Sequence, residues 1–269
     1  MLELKGIEKT FQKGTPDEHR ALDGIDLSIE DGEFITVIGS NGSGKSTLFN
    51  AIAGTFICER GSILLDGRNV TFSRDYKRAK YISRIFQDPM KGTAPDLTVA
   101  ENVALAYARG KKRLGSFALS RGNTKFFREA LAELGMGLED RMNVKMGLLS
   151  GGQRQAATLL MATINTPRLL LLDEHTAALD PITAERVLKL TRDIIAREQI
   201  TAMMITHSID SALRLGTRTI MLDAGKIVLD LSGSERDSLD VAGLLELYRK
   251  KCGRELANDR MLLERGGEK

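Results

Sequence analysis

Phe34-Ile35-Thr36-Val37-Ile38-Gly39-Ser40-Asn41-Gly42-Ser43-Gly44-Lys45-Ser46-Thr47 is the stretch that decides the fold. Its first five residues are apolar or β-branched and carry no charge, as a strand buried on both faces requires. Gly39 opens a turn, and residues 46–54 fall into a helical pattern. Residues 39–46 fit G-x-x-x-x-G-K-[ST]. The glycines let the backbone curl so that successive N–H groups face inward. Those donors and the N-terminus of the following helix form a cradle for phosphate. Lys45 suits the β- and γ-phosphates, and the Ser46 hydroxyl suits Mg²⁺. Background residue usage produces this pattern in on the order of one in fifty chains of this length. The other reading is a flexible Gly/Ser turn, but here the pattern also sits after a buried strand and before a helix, where a phosphate loop belongs.

Outward from the loop, strands and helices alternate, which predicts an α/β fold around a parallel sheet. Residues 1–10 and 24–30 read as strands of alternating polarity, and 62–65 with Asp66-Gly67 as a strand and turn. Residues 168–173 and 202–206 read as further buried strands. Residues 218–222, Asp223-Ala224-Gly225 and 226–229 read as a hairpin. Between about 88 and 165 helical patterns dominate, such as 99–109 and 125–134, and predict a helical subdomain inserted into the core. Residues 110–124, basic and rich in Gly and Ser, predict an exposed loop. After Asp230 the stretch LSGSERDSLD reads as a polar linker. Val241, Leu244, Leu245 and Tyr248 then recur at helical spacing and predict an amphipathic helix. The expected division is a domain over 1–230 and a tail over 231–269.

Composition narrows the function classes. The 269 residues are 42% hydrophobic, enough for a real core, and 39 basic against 36 acidic residues leave a formal charge of +3. Disorder is thereby excluded, and there is no electrostatic case for nucleic acid as a partner. No Trp and only four Tyr argue against an aromatic cage. Cys58 and Cys252 form neither zinc spacing nor a disulfide framework, which points to a reducing compartment. No apolar run approaches the roughly 18 residues of a membrane span. The opening MLELKGIEKTF mixes charge with apolar residues, so no signal peptide is expected. Any membrane role is expected to come through a partner.

Two further stretches carry chemistry. Leu169-Leu170-Leu171-Leu172-Asp173-Glu174 ends a strand on two carboxylates. Neighbouring strand residues face opposite sides, so the two are expected to serve different tasks. Asp173 suits the Mg²⁺ shell, and Glu174 suits a general base that polarises an attacking water. Leu149-Ser150-Gly151-Gly152-Gln153 opens the next helical stretch. Ser150 reads as a helix N-cap followed by permissive glycines. The same hydroxyl and bare amides also make a second γ-phosphate cradle. One chain does not need two cradles, but two chains facing head to tail would complete each other's sites.

In these motifs the sequence resembles the ATP-binding subunit of an ABC (ATP-binding cassette) transporter. The likeness runs through about residues 2–230 with every motif in order. Residues 39–47 match the phosphate loop, 149–153 the signature and 169–174 the second nucleotide motif. Ala178-Leu179-Asp180 matches the D-loop, Gln87 after Ile85-Phe86 the Q-loop glutamine, and His207 after Ile205-Thr206 the switch histidine. The resemblance implies a P-loop NTPase cassette with a RecA-like core, an antiparallel β subdomain and an inserted α-helical subdomain. It implies that Gln87 sits on Mg²⁺ and the attacking water, that His207 contacts the γ-phosphate, and that Asp180 communicates across a dimer. Phe11 would stack on adenine; its other reading is a core Phe beside the first strand. One departure is His175, where the family usually has Pro. It is either a second histidine titrating near the γ-phosphate or a turn residue. His19 has no motif around it and reads as an exposed loop residue.

The resemblance further implies ATP and Mg²⁺ as ligands, and a second copy of the chain in an ATP-dependent head-to-tail dimer. It implies integral membrane permease subunits, an extracytoplasmic solute-binding protein, and a cytoplasmic place on the inner face of the cell membrane. Across its length the chain most resembles cassettes of amino-acid-type uptake, notably of tryptophan/tyrosine systems. The alternative is a cytosolic, non-transport ABC ATPase such as an iron–sulfur-cluster assembly ATPase. Chromosome and DNA-repair ATPases are set aside because no heptad run separates Ser46 from Ser150.

Overall fold

The computed structural model describes residues 1–109 and 120–253. Most of the loop expected over 110–124, and the tail beyond 253, lie outside the described residues. In chain order the strands are β1 (Leu2–Phe11), β2 (His19–Ile29), β3 (Phe34–Ile38), β4 (Arg60–Leu65) and β5 (Arg68–Asn69). They continue with β6 (Ile82–Ile85), β7 (Leu169–Asp173), β8 (Thr201–Ile205), β9 (Arg218–Asp223) and β10 (Lys226–Ser232). The helices are α1 (Lys45–Ala53), α2 (Asp75–Arg78), α3 (Val99–Ala108), α4 (Arg121–Ala132) and α5 (Gly151–Thr163). After these come α6 (Pro181–Glu198), α7 (Ile209–Leu215), α8 (Gly233–Asp237) and α9 (Val241–Cys252). The chain divides into two compact units, Met1–Ala79 with Thr201–Lys269, and Lys80–Ile200.

The first unit holds an antiparallel sheet in the order β2-β1-β4-β5. It also holds β3 between β8 and β9, parallel to both, with β10 antiparallel on β9. Every residue of β3 and of β8 is buried, which accounts for their uncharged sequences. Ala224 and Gly225 both have positive φ, the geometry of a tight hairpin turn between β9 and β10. Helix α1 leaves the end of β3 through the glycine-rich loop and stops at Gly54, which has φ 81°.

That stop is held by a residue with no motif around it. Arg78, only 2% exposed, donates from Nη1 to the carbonyls of Ala51 and Ile52, each at 2.8 Å. Its Nη2 donates to Thr71 O at 3.0 Å and its Nε to Ser73 O at 2.8 Å. A guanidinium at the end of α1 satisfies orphan carbonyls and opposes the negative end of the helix dipole.

The stretch 231–240 is not a linker. β10 continues to Ser232, and Arg236 in α8 is buried, donating to Thr219 Oγ1 at 3.0 Å and Ala212 O at 3.0 Å. The predicted amphipathic helix is α9, whose Leu244 and Tyr248 pack with Ile38, Ile209, Ala212 and Met221. The polar composition that pointed to a linker hides an arginine whose partners lie on distant elements.

The second unit carries the parallel pair β6 and β7, in register from Ile82↔Leu169 to Ile85↔Leu172. Helices α3, α4 and α5 fall within the helix-rich segment expected at 88–165. Thr98 and Glu101 form a reciprocal capping box that starts α3. Residues 121–124 are helix rather than loop, because the Ser120 hydroxyl accepts from Asn123 N–H and starts α4 four residues early.

Replacing Arg78 with Met would leave four carbonyls without their donor in a buried setting. The expected loss is about 3–5 kcal/mol in urea unfolding at neutral pH. A loss below about 1 kcal/mol would contradict this role.

Candidate nucleotide site

The phosphate loop lies wholly in the first unit. Gly39 has φ 146° and Gly44 φ 105°, conformations that L side chains rarely adopt. Neither has room for a side chain. A Cβ on Gly39 would overlap the Leu222 carbonyl oxygen, and one on Gly44 would lie 2.5 Å from Ala21 O. Asn41 and Gly42 form the exposed tip, while Ser43, Gly44 and Lys45 are buried. Lys45 Nζ donates to Gly39 O at 2.7 Å and Ser40 O at 2.9 Å, folding the side chain back along its own loop.

Three features fit a polyphosphate. Helix α1 has no side-chain N-cap and no acidic residue in its first turn. Its first N–H groups therefore lack the side-chain acceptor most helices provide. Ser43 is 2% exposed, and its hydroxyl has no hydrogen-bond partner among the described residues. A buried hydroxyl left so costs about 1–3 kcal/mol until an acceptor arrives. The loop also carries a cation, Lys45, and no acid. Ser46 is exposed and Thr47 half-buried at the start of α1.

Phe11 ends β1, paired with His19. At 39% exposure it is not a core residue. Its ring meets Phe56 edge-on at 5.8 Å, and Lys9 Nζ stands 5.3 Å from both ring centres. His19, expected in a loop, is exposed but opens β2. His207 is half-buried, two residues past β8, and Ser208 after it caps α7.

In the second unit, β7 ends on Asp173, and Glu174 has φ 46°. Strand alternation therefore stops at Asp173, and a left-handed turn, not alternation, sets the course of the chain at Glu174. Gln87 is exposed two residues past β6. The register Ile85↔Leu172 brings Gln87, Asp173 and Glu174 to the same end of the β6–β7 pair. Asp173 accepts from Arg84 Nη2 at 2.7 Å, a pair that the sequence reading missed. The available signal was an arginine inside the otherwise uncharged strand Ile82-Ser83-Arg84-Ile85.

Among the described residues no three His, Cys, Asp or Glu side chains gather to hold a metal. Ser46 in the first unit and Asp173 in the second each offer a hard oxygen donor. Mg²⁺ prefers oxygen donors of this kind and keeps water and substrate phosphates among its ligands.

The signature residues have roles inside their own chain. The Ser150 hydroxyl accepts from Gln153 N at 3.3 Å, and Gln153 Oε1 accepts from Ser150 N at 3.4 Å, a capping box on α5. A Cβ on Gly152 would overlap the Thr183 methyl, and one on Gly151 would lie 3.2 Å from Leu179 Cδ2. The D-loop Asp180 caps α6, accepting from Thr183 N at 3.0 Å, and this hydrogen bonding to Thr183 holds its pKa below the ordinary value. Arg141, Ser150, Gln153, Thr183 and Arg186 line one depression in this face.

His175 is buried, with Nε2 3.0 Å from Thr191 Oγ1. The Thr191 hydroxyl donates to Val187 O at 2.8 Å, so it accepts from Nε2–H, and the imidazole is the neutral Nε2-protonated form. Burial pushes its pKa down to about 4. It is therefore a packed residue beneath α6, and not a histidine that titrates near pH 7.

With a folded pKa of about 4 against 6.5 unfolded, His175 contributes stability that is complete above pH 6.5 and lost as pH falls toward 4. The loss should reach about 3 kcal/mol. His175→Gln keeps a donor for Thr191 and removes the titration. Its unfolding free energy should fall less than the parent's between those two pH values in urea melts. Parallel declines would contradict the assignment.

Comparison with known proteins shows the family. The model of the family described as ABC transporter matches residues 22–177. A tyrosine transport ATP-binding protein of Clostridioides difficile is 42% identical over 248 residues, 92% of this chain and 98% of that protein. An aliphatic sulfonates import ATP-binding protein of Nocardia farcinica is 34% identical over 227 residues, 84% of this chain and 80% of that protein. A dimeric structure of a bacterial ABC transporter cassette matches with TM-score 0.73 at 30% identity, over 86% of this chain and 98% of that one. A Clostridium perfringens cassette, part of an ABC transporter complex, matches with TM-score 0.75 at 26% identity, over 94% and 96%. The chain belongs to the ABC transporter family and has the fold of its ATP-binding cassette.

Proposed function

We propose that this chain hydrolyses ATP to power uptake of an amino-acid-type solute through a separate membrane permease. The observation that carries the reading is the phosphate loop. It has glycines without room for a side chain, an uncapped α1, a buried hydroxyl without a partner among the described residues and an enclosed lysine. No helix among the described residues is long and apolar enough to cross a membrane. In this reading the passage belongs to permease chains, and the cassette lies against the inner face of the membrane. The full-length likeness to a tyrosine transport ATP-binding protein supports the solute class. An extracytoplasmic solute-binding protein would complete such a system.

Loop amides between Gly39 and Lys45 and the first turn of α1 bind the triphosphate. Lys45 turns from its own carbonyls to the β- and γ-phosphate oxygens, a stronger pairing of opposite charges. Phe11 offers its exposed face to adenine. Ser46 and Asp173 would hold Mg²⁺, with Gln87 at its shell; the ion would supply neutralisation of phosphate charge. Glu174 takes a proton from the attacking water, and His207 orients that water against the γ-phosphate.

The second cradle acts in trans. The Ser150 oxygen already accepts from Gln153 N–H, which leaves its hydrogen to donate to a phosphate oxygen of the facing copy. Gly151 and Gly152 add backbone amides at the N-terminus of α5, and Asp180 caps α6 beside Leu179, the residue that Gly151 approaches. Two large apolar side chains flank these motifs in the open, Leu148 at 72% exposure and Ile182 at 85%. A head-to-tail dimer would cover them.

Glu174→Gln keeps shape but removes the base. Hydrolysis should fall by roughly 10²–10⁴, with ATP binding retained. The variant should run as a dimer in ATP and as a monomer without nucleotide on size-exclusion chromatography. Adding Ser150→Arg should abolish the dimer and spare nucleotide affinity. Hydrolysis at the parental rate in Glu174→Gln would overturn the assignment of the base.

A further inference from the structure

We propose that Arg84 is the resident counter-ion of Asp173, and that it makes nucleotide binding tolerant of a missing divalent cation. The inference rests on the reading above that Asp173 serves Mg²⁺ beside the phosphates. It assigns Arg84 as a positioning residue.

A long cationic side chain inside a short buried strand is uncommon, and it survives only with a partner that offsets its desolvation. Ile82, Ser83 and Ile85 around it are all buried. The parallel register sets Arg84 opposite Leu171, so Asp173 lies two residues further along the same face of β7. That diagonal is within reach of a guanidinium. The contact is made, with Nη2 to Oδ2 at 2.7 Å and side chains only 13% and 12% exposed. Phe86, two residues along from Arg84, places its ring centre 4.8 Å from the guanidinium carbon. The cation is thus held against a carboxylate and an aromatic face, a geometry that suits the planar guanidinium better than an ammonium.

The consequence is electrostatic. In a low-dielectric setting an uncompensated carboxylate repels a polyphosphate strongly until a metal arrives to neutralise it. Arg84 supplies a positive charge at that carboxylate permanently. ATP without metal then meets a neutral pair instead of a bare anion. The metal gains less by binding, because its carboxylate is already shared. Coupling between metal and nucleotide is reciprocal, so either affinity reports it.

The test is the affinity of the full chain for a fluorescent ATP analogue, measured in saturating Mg²⁺ and in EDTA. For Arg84→Gln, which can still hydrogen-bond Asp173 but carries no charge, affinity in EDTA should fall at least tenfold. Affinity in Mg²⁺ should stay within threefold, so the ratio between the two conditions rises at least tenfold. Arg84→Lys keeps the charge and should hold the ratio within threefold of the parent. An unchanged ratio in Arg84→Gln would overturn the proposal. If that variant does not fold by circular dichroism, Arg84→Met carries the same expectation. Failure of both to fold would make Arg84 a purely structural residue and also overturn it. A parent chain that binds the analogue in neither condition would instead refute the nucleotide site itself.

Discussion

A lysine ammonium bonded to two carbonyls of its own loop is the contact on which the site depends. Lys45 draws Gly39 O and Ser40 O toward itself, and the loop curls around the end of β3. That curl is possible only because Gly39 presses against the Leu222 carbonyl and Gly44 against that of Ala21. The neighbouring strands therefore fix the loop as much as the loop's own residues do. Packing of β3 between β8 and β9 is the support, and the uncapped start of α1 is the result. Structure and prospective chemistry coincide here: the groups left unsatisfied by folding are those an anion would satisfy.

The signature shows the opposite economy. Ser150, Gly152, Gln153 and Asp180 each have a full structural explanation within one chain, as caps and close packing positions around α5 and α6. The steric demand on Gly152 comes from Thr183, not from a ligand. A role in trans adds to these functions without displacing them. A substitution there can act through the fold of its own chain as well as through a facing copy. This is why nucleotide affinity and association must be read separately.

Much of the fold was legible because the signals were local. The uniformly apolar runs of β3, β7 and β8, the glycine spacing of the phosphate loop, and the helical spacing of Leu244 and Tyr248 need no partner to be read. What escaped was set by partners distant in sequence. Arg236 looked like part of a polar linker because its acceptors lie on β9 and α7. Arg78 closes α1 from a position 25 residues beyond that helix's last residue, Ala53. Arg84 meets Asp173 across 89 positions, and only the register of β6 on β7 reveals it. His175 was ambiguous for the same reason, since its burial against Thr191 depends on how α6 lies. Local patterns report a residue's own preference, whereas a buried charge is explained only by what surrounds it.

The claim that all else rests on is that residues 39–47 bind the phosphates of a nucleotide. Titration of the full chain with ATP and Mg²⁺ by calorimetry, beside Lys45→Ala, tests it most directly. Saturable binding by the parent and loss of useful affinity in the variant are expected, with the fold retained by circular dichroism. Equal affinity in the two proteins would contradict it.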